Sequence, residues 1–496
     1  MHRTLSPLPM LLLVLGLALL GTALPACKTG SRKDQPNTAA PANSRTDNMA
    51  LTPLPTPPPG GDYAEEWRII DSLAAQGLYQ SALEKTEALE TRARTDARPA
   101  QVIKSLIHRA KYTTFLDEDG IVKAIEMLEQ RAAAAPQPER AVLYSYLGDL
   151  YATYLNNQGW RIRDRTETQP ADTPDAPPGG PAGMAPPAPG WLQTASASQI
   201  ERRALQLHAA SVEPLPPVLA TPADVYRDIL TPSYADTVQG RPLRAHLYDV
   251  LASRAIMHFS NDRSYLTEPA YAFALQQPEA FAPVADFVRY PFDSQDMWSG
   301  KRLAIKTFQK VLAQYLPGGS AADNAAALIA ADLERLQFVR TASTLPDKEA
   351  RYLQALEALH QKHGDQDMDA EILWYMAQAL HFSTEEISDD MQDANDRRAI
   401  ALLEEAMRRH PGTYGAQMSA VLLRDMRLTT LTVNVEKVNL PNRPALFSVE
   451  GANLKTVHVR VVRISSDPAD WEKIRRENER NGGISDEQWL KRQTPV

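Results

Sequence analysis

Tyr144-Ser145-Tyr146-Leu147-Gly148-Asp149-Leu150-Tyr151 places large apolar side chains three and four residues apart around a single glycine. That spacing predicts a helix with one buried face, and a glycine on that face lets a second helix approach closely. Just upstream, Ala124, Leu128 and Pro136 describe the complementary element, a helix with one small and one large inward residue and a proline beyond its end. The proline stops it because its ring disfavours helical geometry at the residue before and it has no N–H to donate. Ala399, Leu403, Ala406 and Pro411 repeat the same alanine-to-proline spacing, and Ala304, Phe308 and Pro317 make a looser copy. Asp62 to Arg94 reads as two helices turning at Gln76-Gly77.

The steric logic is that of the tetratricopeptide repeat, in which small residues admit a neighbouring helix and large ones fill the gaps. The copies are not in strict tandem, so residues 62–430 are expected to form a mainly α, irregular tetratricopeptide-like α-solenoid. Residues 167–190 interrupt it with proline, alanine and glycine, as in Asp175-Ala176-Pro177-Pro178-Gly179-Gly180-Pro181, and are expected to be a disordered insert. Trp191 to Val212 returns to helical spacing, and helices are expected to resume near Ala223 and from Pro242 to Phe259. After Thr430 the period becomes two. Leu431 to Val435 alternates, Ala445 to Gly451 reads as a strand, and Thr456 to Ile464 reads as its partner across Gly451-Ala452-Asn453-Leu454-Lys455. Residues 431–496 are therefore expected to begin a β-sandwich, and the stop at Val496 reads as a truncated frame because a stable sheet needs further strands.

The chain opens with His2 and Arg3, an apolar run from Met10 to Leu20, and small residues before Cys27, the layout of an export signal over 1–26. Leu24, Pro25, Ala26 and Cys27 resemble the lipobox of bacterial lipoproteins, with Pro25 departing from the usual pattern. The resemblance implies lipidation of Cys27, cleavage before it, and tethering to a membrane in the cell envelope, at the outer membrane. Cys27 is the only cysteine among 496 residues, which fits a dedicated role. Residues 27–61 end in Pro53-Leu54-Pro55-Thr56-Pro57-Pro58-Pro59-Gly60-Gly61, too poor in large apolar residues to pack, and read as a disordered spacer.

A formal charge of −8 argues against a nucleic-acid partner, which needs a basic face. Local signatures of nucleotide, hydrolase and zinc-protease chemistry are missing, so the chain is read as non-enzymatic, with no cofactor and no metal. His360 and His363 with Asp365, Asp367 and Asp369 suggest a metal site at first sight. Gly364 as a helix end, with the aspartates at the start of the next helix, accounts for them better, and no calcium-loop spacing is present.

Taken together, the segments resemble the amino-terminal part of bacterial alpha-2-macroglobulin family lipoproteins, especially those of Bacteroidota. The residues that carry this are Tyr63-Ala64-Glu65-Glu66-Trp67 with Asp71-Ser72-Leu73, the run Gln101 to Arg109, and Arg241-Pro242-Leu243 with Leu247 to Ala252. Val438-Asn439-Leu440-Pro441-Asn442-Arg443-Pro444 leading into Phe447-Ser448-Val449 looks like the opening of a macroglobulin-type β-domain. The resemblance implies an endopeptidase inhibitor that traps proteases, with proteases and envelope proteins as partners. This chain has no thioester cysteine and no bait segment, so by itself it is not expected to trap. The alternative is a nutrient (oligosaccharide)-binding outer-membrane lipoprotein built on helical repeats, for which the switch to β-structure is unexpected.

Overall fold

The computed structural model describes residues 63–162, 165, 184–230, 240–261, 269–383, 387–435, 446–458, 472 and 476, and these are mainly helical. Helices α1 (Ala64–Ala75), α2 (Tyr79–Thr95), α3 (Pro99–Leu116), α4 (Gly120–Ala134) and α5 (Glu139–Ile162) follow one another through short turns. Then come α6 (Trp191–Thr194), α7 (Ala197–Ser211), the short α8 (Pro216–Ala220) and α9 (Gly240–Leu243), α10 (Leu247–Phe259) and the one-turn α11 (Val284–Phe287). Six long helices complete the array: α12 (Gly300–Tyr315), α13 (Ala325–Ala342), α14 (Lys348–His363), α15 (Asp369–His381), α16 (Asp389–Arg409) and α17 (Tyr414–Met426). Each long helix packs on the long helix before it and the one after it, with α5 meeting α7, α7 meeting α10 and α10 meeting α12. Alternate helices also touch, as α3 with α5, α5 with α10 and α15 with α17. Such nearest-neighbour packing is the connectivity of a solenoid, whose core is continuous along the array.

The repeat residues read from the sequence all face that core. Ala124, Leu128, Tyr144, Leu147, Tyr151, Ala304, Phe308, Ala399, Leu403 and Ala406 are buried. Helices α4, α12 and α16 each end two residues before their proline, at Ala134, Tyr315 and Arg409. Gly77, between α1 and α2, has φ +76°, a left-handed turn that glycine adopts without a Cβ clash. Gly148 has a different task. A Cβ there would lie 2.4 Å from Cδ2 of His208 on α7, and that ring is stacked on His258 of α10 at 4.3 Å between centroids. Since the imidazole has no room to retreat, Gly148→Ala is expected to cost about 1–3 kcal/mol, the usual range for overpacking, measurable by urea denaturation. A loss below a few tenths would show that the α5–α7 contact yields.

Local chemistry corrects several boundaries. The helical run expected from Trp191 to Val212 is split: the Ser196 side chain accepts from the Gln199 N–H at 3.2 Å while Gln199 accepts from the Ser196 N–H at 2.9 Å, so α7 starts afresh. Near Ala223 only a 3-10 turn forms, Ala223–Tyr226, just after Pro222. From Pro242 to Phe259 only α9 and α10 are helical, because the chain between them bends into an extended pairing of His246 with Pro222.

Beyond α17 the chain forms an antiparallel ribbon, β1 (Thr430–Val435) with β2 (Phe447–Ala452), registered from Thr430 opposite Ala452 to Val435 opposite Phe447. The strand expected over Ala445 to Gly451 thus has β1 as its partner. Of the expected partner Thr456 to Ile464, residues 456–458 carry no strand and the rest lie outside the described residues. Asn453, at φ +56°, closes the ribbon and donates through Nδ2 to the carbonyls of Met426 (2.8 Å) and Leu428 (3.0 Å), fastening it to the end of α17. A β-sandwich is not formed by the described residues, which contain two strands only. Among them, no helix is long and apolar enough to cross a membrane.

Candidate functional site

Proline-rich chain lies against the α4–α5–α7 face of the solenoid. The disordered insert expected over 167–190 falls mostly outside the described residues, but Met184–Gly190 is described and is packed. Prolines 186, 187 and 189 fix φ near −65°, and each disfavours helix at the residue before it, so sterics alone keep this stretch extended. Met184, Pro186, Pro187 and Gly190 are half-buried, whereas Ala185, Ala188 and Pro189 are exposed. The segment ends in a turn, with Gly190 at φ +77° and the Trp191 N–H donating to the Ala188 carbonyl at 3.0 Å.

With no ladder of its own, the segment has three of its backbone groups held by helix side chains. The Met184 N–H donates to the Tyr144 hydroxyl at 3.1 Å, and the Gly190 N–H donates to Glu126 Oε1 at 2.8 Å. Arg203 of α7 donates through Nη2 to the Ala185 carbonyl at 3.2 Å. The same guanidinium holds Glu129 of α4 with two bonds, Nε to Oε1 at 2.8 Å and Nη2 to Oε2 at 2.6 Å, and Tyr151 donates to Glu129 at 2.9 Å. Burial is the largest single influence on Arg203 and works against its charge, but the bond to Glu129 and the attraction of that carboxylate and the neighbouring tyrosines together raise its pKa; burial and then Glu129 push the Tyr151 phenol up. Beside the segment a cavity of about 240 Å³ is lined by Met127, Tyr151, Pro187 and Trp191. The Trp191 ring meets Tyr151 edge-on at 6.2 Å.

Below this groove, His208 lies fully buried, its Nε2 3.3 Å from Asp149 Oδ1. Arg254 of α10 binds the other Asp149 oxygen and donates to Ser145 Oγ at 2.9 Å, while His258 faces Glu201 at 3.3 Å. Burial, then repulsion from His258, lowers the His208 pKa to about 4. The folded protein therefore binds a proton at His208 less readily than the unfolded chain, whose imidazole titrates near 6.5. Stability from this residue is complete above pH 6.5 and is lost as pH falls toward 4, a change on the order of 3 kcal/mol. Urea midpoints measured from pH 7 to 4.5 should fall less steeply in His208→Gln than in the parent; equal slopes would exclude His208 as the source.

Of the residues singled out from sequence, Leu24, Pro25, Ala26 and Cys27 lie outside the described residues. Gly364 does end α14, but Asp369 is not a helix cap: it is the first residue of α15, fully buried, with Oδ1 2.7 Å from His360 Nδ1 and Oδ2 3.3 Å from His410 Nε2. It joins the ends of α14 and α16 to the start of α15, while Asp367, largely exposed, lies 3.9 Å from His410 Nδ1. Among the described residues no group of histidines, cysteines and carboxylates is placed to hold a metal ion. Sequence reading missed Glu126, Glu129, Arg203 and the Met184–Gly190 segment. The available signal was Ala185-Pro186-Pro187-Ala188-Pro189-Gly190 ending directly at Trp191, a proline run too regular for a simple linker.

Array and groove together define a mainly helical, solenoid-like protein with a bound extended segment. No protein family matches the chain, and a comparison with curated proteins finds no match either.

Proposed function

We propose that this chain is the anchor-proximal helical module of an alpha-2-macroglobulin-like lipoprotein of the bacterial cell envelope, held to the outer membrane through Cys27 and acting by binding rather than catalysis. The observation that carries the reading is the passage from α17 directly into the β1–β2 ribbon. Leu431, Val433, Phe447 and Val449 on its strands and Leu446 beside it are all exposed, and apolar ribbon faces of this kind need a covering layer, since an isolated two-stranded ribbon is marginal in water. In the family this layer would be the rest of a macroglobulin-type β-sandwich. Protease trapping, the family's inhibitory activity, would then belong to later domains carrying the bait segment, with the solenoid as spacer or docking module.

Reading the coding sequence beyond Val496 tests this directly. In-frame β-domains of roughly a hundred residues each are expected; a stop followed by unrelated genes would refute the family reading. The anchor is tested separately. Cys27→Ala should move the protein from the membrane pellet to the soluble envelope fraction, and retention in the pellet would argue against a lipid on Cys27.

A further inference from the structure

We propose that the cavity between α4 and the Met184–Gly190 segment is a binding site for a small alkylammonium ion, either a free aliphatic amine or the end of a lysine side chain of another protein. The inference does not depend on the family reading. One wall is the stripe of α4 that runs through Lys123, Glu126, Met127 and Gln130, which lie three and four residues apart and so share a helix face. The opposite wall is the insert, through Pro186, Pro187, Ala188 and Pro189, and Trp191 lines the cavity beyond them. The insert keeps its place, and the ligand enters beside it.

The lining decides the chemistry of the occupant. Three of the four insert residues are prolines, which keep a carbonyl oxygen but have no N–H, so this wall is rich in acceptors and poor in donors. Met127 adds a polarisable thioether, and Trp191 adds the aromatic ring that attracts cations best; both are half-buried. Three charged residues line the cavity, and two of them are already neutralised, Lys123 by Asp117 and Glu129 by Arg203. The third, Glu126, has only the Gly190 N–H on Oε1 at 2.8 Å, and no cation among the described residues pairs with it. A neutral donor leaves that carboxylate's charge uncompensated. A cation with an apolar body answers both the charge and the thioether and indole, whereas an anion is repelled by Glu126 and a neutral apolar body gives it no partner. Size narrows the choice further. At about 30 Å³ per water-sized group, a cavity of about 240 Å³ holds one aliphatic amine and is too small for a peptide or a sugar chain. Because the insert forms one wall, a bound amine would bridge it to α4 and hold it more firmly.

The test uses the full-length chain with its seven tryptophans labelled as fluorotryptophan and followed by fluorine NMR, the Trp191 signal being assigned by its loss in Trp191→Phe. Hexylammonium chloride added to the otherwise unaltered protein should shift that signal with half-saturation in the low millimolar range. Hexanol and hexanoate, the same body without the charge or with the opposite one, should need at least tenfold higher concentrations. Glu126→Gln keeps an amide oxygen for the Gly190 N–H but removes the charge, so it should weaken hexylammonium binding about tenfold and leave the response to hexanol unchanged. The methylamide of Nα-acetyllysine separates the two sources: tighter binding than hexylammonium assigns the site to a lysine side chain, weaker binding assigns it to a free amine, and either supports the site. A Trp191 signal that ignores hexylammonium, or responds equally to hexanol, would overturn the proposal. So would unchanged affinity in Glu126→Gln with an unaltered helical spectrum. Should that variant unfold, the ranking of hexylammonium, hexanol and hexanoate on the parent protein decides the matter alone.

Discussion

Arg203→Met is expected to lower the stability of the folded chain by about 3–5 kcal/mol, the range for breaking a buried ion pair from one side. Arg203 and Glu129 are both buried, and their two-pronged bond joins α7 to α4 across the inserted residues. Without the guanidinium, the Glu129 carboxylate keeps only the Tyr151 hydroxyl as a hydrogen-bond donor, and the Ala185 carbonyl loses its donor. Most of the loss is the cost of a buried charge with no counterion. The double change Glu129→Leu with Arg203→Met should therefore recover the greater part, leaving a remainder for the stranded Tyr151 hydroxyl. Urea denaturation of the four proteins in this cycle measures both effects. A single-variant loss below about 1 kcal/mol would mean that water reaches Glu129 and that the pair is not the clamp described here.

A second large effect is expected at Arg335 of α13. This side chain is 1% exposed, donates to Asp332 Oδ1 at 2.7 Å and to the carbonyls of Ala280 and Ala282 at 2.6 and 3.0 Å, and lies over the Phe287 ring at 4.5 Å. It pins the stretch from Phe273 to Phe292, whose own backbone bonds close only short turns, onto the helical array. Arg335→Met strands one buried carboxylate and two carbonyls, so a loss of about 3–5 kcal/mol is again expected. Arg335→Lys should recover little, because one ammonium cannot reproduce a planar fork that serves three acceptors and stacks on an aromatic ring. Limited proteolysis separates local from global damage. Early cleavage between Phe273 and Phe292 is the expected signature, and an unchanged cleavage order would remove Arg335 from this role.

The helical array was legible because its signals are short-range. Ala124, Leu128 and Pro136, or Ala399, Ala406 and Pro411, lie within one helix and its stop, and periodicity reports them directly. Gly77 announced its turn for the same reason. The groove was not legible because its parts are far apart in the chain: Glu126 and Glu129 on α4, Tyr144 and Tyr151 on α5, and Arg203 on α7 meet only after packing. A carboxylate on an amphipathic helix looks solvated until its arginine arrives, and Glu129 is such a case. Proline composition misled in the opposite direction. It correctly excludes helix and central strand for 184–190, but it says nothing about whether an extended segment is bound. Asp369 was legible as the start of a helix, where α15 begins, but its burial and its partner His410 a helix away left no local signal.

The chain between Ile162 and Ala197 has a kinetic meaning. The α1–α2 hairpin closes through residues 76–78, whereas α5 and α7 must find each other across residues 163–196. Loop-closure entropy grows as the logarithm of length, which makes the longer closure roughly 2 kcal/mol less favourable. The segments α1–α4 and α12–α17 can therefore assemble early from near neighbours, with the α5–α7 seam zipping up last. Contacts absent from a folding transition state act on the unfolding rate alone. Arg203 and Gly148, both at that seam, should thus govern how long the native protein survives once formed, while leaving the speed at which it forms nearly untouched.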